Sequence, residues 1–255
     1  MKGSQKAPFA PEDKMSFLVN EIYPCLQGEG VNTGIPSLLV RFHICNLRCT
    51  WCDTPYTHTL KSDPVDKNSP NGKQKFFRLS LDNLIEKITE FPQKHLILSG
   101  GEPTLHNLGL LMRTLGTEYT AEVESNGTRI PHKQIPNFLE TDYNLMQWNI
   151  SPKFSNAGEK LVPEALAHWA ALSKIHAHVY FKFVVRKNFL ADDMQELIKI
   201  VTENKISAQK VLLMPEGTTI ESQVENIWLH DECLKHGFRY ATRLHVLLFG
   251  NLRGV

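Results

Sequence analysis

The strongest constraint on the fold is a repeated pairing of short apolar runs with polar or glycine-bearing ends, separated by amphipathic helical stretches. SLLVRFHI (Ser37–Ile44) reads as a strand, as do HLILSGGEP, AEVESNGT, LMQWNISPK, the β-prone run His178–Val185 and VLLMPEG. Between them, SLDNLIEKITEF opens with a capping Ser80 and places Leu81, Leu84, Ile85 and Ile88 on one helical face. Leu105–Leu115, Ala191–Thr202 and Glu221–His236 also carry helical patterns, and RLHVLLFG near the end reads as a last strand. This alternation implies an α/β fold with a mostly parallel sheet, open or curled into a barrel. In such folds ligands gather at the carboxyl ends of the strands. The polar and glycine motifs of this chain fall at those ends.

The 255 residues suit one large α/β domain or two small ones, and the 42% hydrophobic content is enough for a real core. A formal net charge of +1 gives no polyanion-binding surface, so no nucleic-acid partner is expected. No apolar run approaches the roughly 18–20 residues that span a bilayer, so no membrane partner is expected either. The polar start MKGSQKAPFAPEDK lacks the apolar centre of a signal peptide, and the chain reads as cytoplasmic. Asp53–Lys75, with DPVDKNSPNGKQK at its centre, reads as a surface loop or lid, an insertion at about residues 53–77.

Five cysteines are present, and Cys45, Cys49 and Cys52 fall within eight residues directly after a strand. An odd, clustered set argues against a disulfide framework and for metal binding or catalysis. Three thiolates on one loop can hold three irons of a [4Fe–4S] cubane and leave the fourth iron open to a small molecule. The alternative is a structural zinc site, which needs a fourth protein ligand from His43, His58, Cys25 or Cys233; none completes a familiar paired spacing. Cys25 and Cys233 otherwise read as small, buried thiols.

The segment Cys45-Asn-Leu-Arg-Cys49-Thr-Trp-Cys52 resembles the CxxxCxxC signature of the radical S-adenosylmethionine (SAM) superfamily. Ser99-Gly100-Gly101-Glu102-Pro103 resembles that superfamily's GGE motif, with glycines that let backbone approach a ligand closely. Glu124-Ser125-Asn126 and Ser151-Pro152-Lys153 resemble its later SAM-contacting strand ends, and Leu213-Met214-Pro215 would lie beside the adenine or serve as plain core strand. The resemblance implies an incomplete TIM-like barrel of roughly six parallel strands, a single domain over residues 1–255 that carries the insertion at about 53–77. It also implies SAM bound at the open iron by Trp51, Cys52, Asp53, Gly101, Glu102, Glu124, Ser125, Asn126, Ser151, Pro152, Lys153 and Met214.

A narrower likeness lies upstream. Glu21-Ile22-Tyr23-Pro24-Cys25-Leu26-Gln27-Gly28-Glu29-Gly30, followed by Gly34, Arg41 and CNLRCTWCDT, resembles the 7-carboxy-7-deazaguanine synthase family, and the similarity runs to the final GNLRGV. That resemblance implies a lyase converting 6-carboxy-5,6,7,8-tetrahydropterin to 7-carboxy-7-deazaguanine with loss of ammonia, on the path to queuosine and related deazapurines. SAM is regenerated in that reaction. It implies Mg²⁺ held by Thr54, a substrate contacted by Leu26, Gln27, Gly28, Glu29, Arg41, Ser99, His245 and Val255, a homodimer, and a flavodoxin-type reductant. From residue types alone the glycine segment could be a turn, but the Gln27 and Glu29 interleaved with its glycines favour a binding role, and Arg41 in isolation also reads as a solvated strand arginine. Another radical SAM enzyme, such as a glycyl-radical activase, and a non-catalytic metal-binding module remain the competing readings.

Overall fold

The structure, a computed structural model, describes residues 16–58, 76–250 and 252–254. Among the described residues, nine strands form one sheet in the order β3-β1-β2-β4-β5-β6-β7-β8-β9. They are β1 (Ser16–Leu26), β2 (Pro36–Phe42), β3 (Phe77–Ser80), β4 (His95–Gly100), β5 (Thr120–Ser125), β6 (Gln147–Ile150), β7 (Val179–Val185), β8 (Val211–Pro215) and β9 (Arg239–Tyr240). From β2 to β9 every pairing is parallel, while β1 runs antiparallel to both β2 and β3. The expected set of about six parallel strands is therefore present, with a two-residue seventh at one edge and an antiparallel pair at the other.

Helices α1 (Leu81–Thr89), α2 (Leu108–Leu115), α3 (Pro131–Gln134), α4 (Pro163–Ile175), α5 (Leu190–Glu203), α6 (Ile220–Gln223), α7 (Ile227–His236) and α8 (Leu244–Phe249) connect or follow the strands. The Ser80 hydroxyl accepts from the Asn83 backbone N–H, one of the orphan donors at the start of α1. Leu84 and Ile88 of α1, Leu111 of α2, Trp169 of α4 and Leu197 of α5 pack with Leu38, Leu96, Leu98, Val123, Trp148 and Phe181 into one apolar core between the sheet and the helices. Helices cover the outer face of the sheet, so the outward residues of these strands are apolar.

Three expectations change. RLHVLLFG is not a strand: its short apolar run forms α8, anchored where the Leu244 N–H donates to the Gly28 carbonyl at 2.7 Å. Glu221–His236 is two helices, α6 and α7, separated at Glu225, whose φ of 56° is left-handed and cannot continue an α-helix. The second helix starts at Leu108 rather than Leu105, because Pro103–Leu105 is a 3-10 turn and Asn107 supplies the cap. Phe77 already belongs to β3, while residues 59–75 of the expected lid lie outside the described residues.

The edges β3 and β9 do not pair with each other, so the sheet is open. It is also strongly curled. Five strand intervals separate β1 from β7, roughly 24 Å on a flat sheet at about 4.8 Å each. Nevertheless Lys182 of β7 bonds Glu29, three residues past β1, and Glu124 of β5. The inner face is thus concave, as in an incomplete barrel.

Candidate active site in the barrel lumen

Strand alternation gives the lumen its chemistry. On β5, Ala121 and Val123 belong to the outer core, so Glu122 and Glu124 between them face inward. The lumen-facing Glu122 carboxylate accepts from Gln27, from His95 Nε2 at 3.2 Å, from Gln147 Nε2 at 3.1 Å and from Asn149 Nδ2 at 3.0 Å. Above it, Lys182 lies between Glu29 and Glu124, and Asn149 donates to Glu124 Oε1 at 2.7 Å. Burial alone would push Lys182 down, but the two carboxylates outweigh it and hold its ammonium above its ordinary value. Burial likewise works against an ionised Glu29, yet Lys182 and Arg243 keep its carboxyl well below the usual range; Glu124 is raised, chiefly by burial. The layer is a buried ionic network with two acids sharing one lysine.

A cavity of about 500 Å³ opens above this layer. Its wall brings together the cysteine loop, the Leu26–Glu29 segment, the ends of β2, β4, β5, β6 and β8, and the region from Arg243 onward. Every thiol of the cysteine cluster lines it. Burial pushes the Cys45 thiol up to about 12, aided by the Glu102 charge, and burial also raises Cys49. Iron binding must therefore displace protons that the bare site retains. Three half-buried thiols on one loop, without a fourth, suit a cubane with one open iron. Among the described residues, no three His, Cys, Asp or Glu side chains converge as a single-ion site.

The cysteine loop begins under backbone tension. Ile44, immediately before Cys45, has φ 75°, an unusual value for a β-branched residue. Its carbonyl accepts from the Glu102 N–H at 2.8 Å, and the Gly101 N–H donates to Phe42 O at 2.9 Å. A Cβ at Gly101 would lie 2.1 Å from the Ile44 oxygen, and one at Gly100 would lie 2.2 Å from the Phe42 oxygen. The glycine pair therefore seats the cysteine loop against the end of β4 in addition to lining the cavity. Glu102 is directed elsewhere: fully buried, it accepts from the Thr104 backbone and hydroxyl, from Ser125 Oγ at 2.8 Å and from the Asn126 N–H at 2.8 Å. It is absent from the cavity wall, so it ties the GGE turn to the end of β5 rather than offering a ligand contact.

Of the other expected SAM contacts, Trp51, Asp53, Gly101, Glu124, Ser125, Asn126, Ser151, Lys153 and Met214 line the cavity, while Pro152 faces a small separate recess. Trp51, Val31, Val184, Leu212 and Met214 make a small apolar shelf on the concave side, so Met214 is both core and wall. The Lys153 ammonium donates to Ser151 Oγ at 2.7 Å and sits 4.8 Å over the Trp51 ring. Burial lowers its pKa, and among the described residues no carboxylate is within ion-pair distance.

Of the expected substrate contacts, Leu26, Gln27, Gly28, Glu29, Arg41, Ser99 and His245 line the cavity, as does Thr54; Val255 lies outside the described residues. Arg41 and Ser99 are register partners on β2 and β4. Arg41 Nε donates to Glu21 Oε2 at 2.7 Å, so one edge of its guanidinium is already paired. His245 reaches the site from α8, packed on Gly28: a Cβ there would meet its Nδ1 at 2.2 Å. Burial lowers the His245 pKa. Thr54 Oγ1 lies 3.8 Å from Cys52 Sγ.

Two residues of this constellation are invisible to motif reading. Lys182 was only one polar position in a β-prone run, although a lone lysine inside an otherwise apolar parallel strand is itself a signal. Arg243 binds Glu29 at 2.9 Å, the Gly217 carbonyl at 2.7 Å and Asp53, joining three distant segments.

The chain matches the radical SAM superfamily over residues 39–153. It is 32% identical to the 7-carboxy-7-deazaguanine synthase of Pyrobaculum aerophilum, over 92% of this chain and 96% of the relative. It is 30% identical to that of Halobacterium salinarum, over 94% and 93%, and 31% identical to that of Aquifex aeolicus, over 85% of each. The crystal structure of QueE from Escherichia coli shares the fold, with a TM-score of 0.64 at 22% identity over 90% of this chain and 95% of that one. The chain belongs to the 7-carboxy-7-deazaguanine synthase family of the radical SAM superfamily.

Proposed function

We propose that this protein is a 7-carboxy-7-deazaguanine synthase, a lyase that contracts the ring of 6-carboxy-5,6,7,8-tetrahydropterin with loss of ammonia, using Mg²⁺ beside a [4Fe–4S] cluster and SAM. The observation that carries this reading is one cavity onto which the three cysteines, the Leu26–Glu29 segment and the Arg41–Ser99 pair all open. Its volume lies within the range of small-molecule sites. When bound, the cluster and SAM supply a 5′-deoxyadenosyl radical for hydrogen abstraction.

The chain's own residues bind and orient. Cys45, Cys49 and Cys52 hold the irons. Lys153, buried without a carboxylate of its own, takes the carboxylate of SAM, a charge-assisted contact that offsets its desolvation. Gly101, Ser125, Asn126 and Ser151 offer polar and backbone contacts around it, with the Trp51–Met214 shelf for the adenine. Gln27 and Glu29 are fixed by Glu122, Lys182 and Arg243, so the segment that reads the pterin edge is held before substrate arrives. Arg41 and Ser99 face the substrate carboxylate, and His245 closes the site from α8. Thr54 would hold Mg²⁺ through its hydroxyl oxygen, and the ion would supply positive charge beside the substrate carboxylate. The enzyme works as a cytoplasmic homodimer with a flavodoxin-type reductant; no helix among the described residues is long and apolar enough to cross a membrane.

The test is an anaerobic assay of reconstituted protein with 6-carboxytetrahydropterin, with and without Mg²⁺, following product by mass. Deazaguanine formation stimulated by Mg²⁺ is expected. SAM cleavage without that product points to a different radical SAM reaction, and stoichiometric zinc without iron points to a binding module.

A further inference from the structure

One side chain beside the cysteine loop has no part in the function above. His58 Nε2 lies 3.2 Å from Cys52 Sγ. The ring is half-buried and also lines the cavity. Its backbone is fixed from two sides: the His58 N–H donates to Pro55 O at 3.2 Å, and Arg48 Nη2 donates to His58 O at 2.7 Å. The same guanidinium grips the loop itself, donating from Nη1 to Cys45 O at 2.8 Å and to Leu47 O at 2.6 Å. Arg48 thus locks His58 to the segment that carries the thiols. Cys45 has weaker neighbours: its Sγ receives the Leu47 N–H at 3.4 Å and Asn126 Nδ2 at 3.9 Å.

A cysteine that ligates iron is a thiolate and can only accept a hydrogen bond. With the ring at 3.2 Å, the bonding nitrogen must then carry the proton. We propose that His58 is a positioning residue that donates Nε2–H to the Cys52 sulfur of the cluster and raises the cluster's reduction potential. The physical reason is the sign of the charge. Reduction adds negative charge shared by iron and thiolate, and a donor aimed at sulfur stabilises the reduced state more than the oxidised one.

The inference rests on the cluster reading, and the test separates the two. His58→Leu removes the donor and His58→Gln retains an N–H of similar reach. Each is reconstituted beside the unaltered protein and analysed for iron and sulfide, then titrated redox-wise with electron paramagnetic resonance detection, with and without SAM. Unaltered protein holding no iron–sulfur cluster overturns the cluster reading, and this inference with it. With about four irons in all three proteins, His58→Leu should show a reduced-to-oxidised ratio lower by on the order of tenfold at fixed potential, about 59 mV for one electron. His58→Gln should recover most of that shift. An unchanged potential in His58→Leu overturns the proposal. So does loss of the cluster in that variant, or a directly coordinated imidazole nitrogen in the pulsed spectra, since either makes His58 a scaffold or a ligand instead of a donor.

Discussion

Replacing Lys182 with methionine tests the ionic layer at the base of the site. The side chains involved are nearly dry: Lys182 is 5% exposed, Glu29 16% and Glu124 15%. Methionine fills much the same volume but leaves two carboxylates facing each other. Glu29 retains Arg243, whereas Glu124 keeps only the Asn149 amide among the partners described. Removing one member of a buried ionic set costs about 3–5 kcal/mol because the remaining charge is stranded. In a chain of this size about 1 kcal/mol moves the midpoint of thermal unfolding by about 2–4 °C, so Lys182→Met should unfold about 6–20 °C lower. The same logic makes the triple variant Lys182→Met, Glu29→Gln, Glu124→Gln more stable than the single one. It strands no carboxylate, and Arg243 still holds Asp53 and the Gly217 carbonyl. Both are read by thermal denaturation of the apo protein, monitored by circular dichroism. A single variant within about 1 kcal/mol of the parent, or a triple variant less stable than the single, would refute the account of Lys182 as the shared counter-charge.

Gly101→Ala forces a methyl 2.1 Å from the Ile44 carbonyl oxygen, where only backbone can yield. It should cost about 1–3 kcal/mol and displace the cysteine loop, seen as reduced iron per chain after reconstitution. Cys45→Ala should abolish retention of the cluster while leaving the far-ultraviolet spectrum unchanged, measured by iron analysis and circular dichroism. For acid stability the two acids of the ionic layer oppose each other. Glu29, held low, contributes stability present above its unfolded value of about 4.3 and lost as pH falls below it. Glu124, raised, binds more protons when folded, so its contribution declines as pH rises. Glu124→Gln removes the opposing member, and urea denaturation should show stability falling more steeply between about pH 5 and 3 than in the parent.

The elements legible in the sequence were those whose cause is local. Ser80 marks the start of α1 by its own hydroxyl, and the cysteine loop is contiguous, so both could be named from residues alone. β3, α4 and β9 escaped reading for different reasons. Four residues and two residues are too short to show a period, and α4 is apolar on several sides because Trp169 and Ala170 are buried while Ile175 is exposed. RLHVLLFG could not be decided locally, since a short apolar run suits either state. The Leu244–Gly28 bond that accompanies its helix comes from a segment over two hundred positions away in sequence. Glu102 misled because a motif letter says nothing of direction: beside two glycines it looked ligand-facing, yet four protein donors surround it.

The two faces of the sheet divide the work between stability and chemistry, and this explains where the unread residues lie. Ala121, Val123, Phe181 and Phe183 spend their apolar area on the helices, a non-directional contribution that tolerates volume-conserving exchange. Glu122, Glu124 and Lys182 on the same strands, with Asn149 on β6 between them, face the lumen, where every group must find a partner at a fixed angle. An apolar lumen of equal volume would be no less stable, because buried ion pairs seldom repay their desolvation. What it would lose is the fixed orientation of Gln27 and Glu29, which are bound at three points to β5, β7 and the Arg243 segment. The inward polar row is therefore better understood as the support of the Leu26–Glu29 segment on the cavity wall than as a source of stability. Its signature in the sequence is the alternation Ala-Glu-Val-Glu-Ser, a polar period of two inside a strand whose outer face is wholly apolar or small.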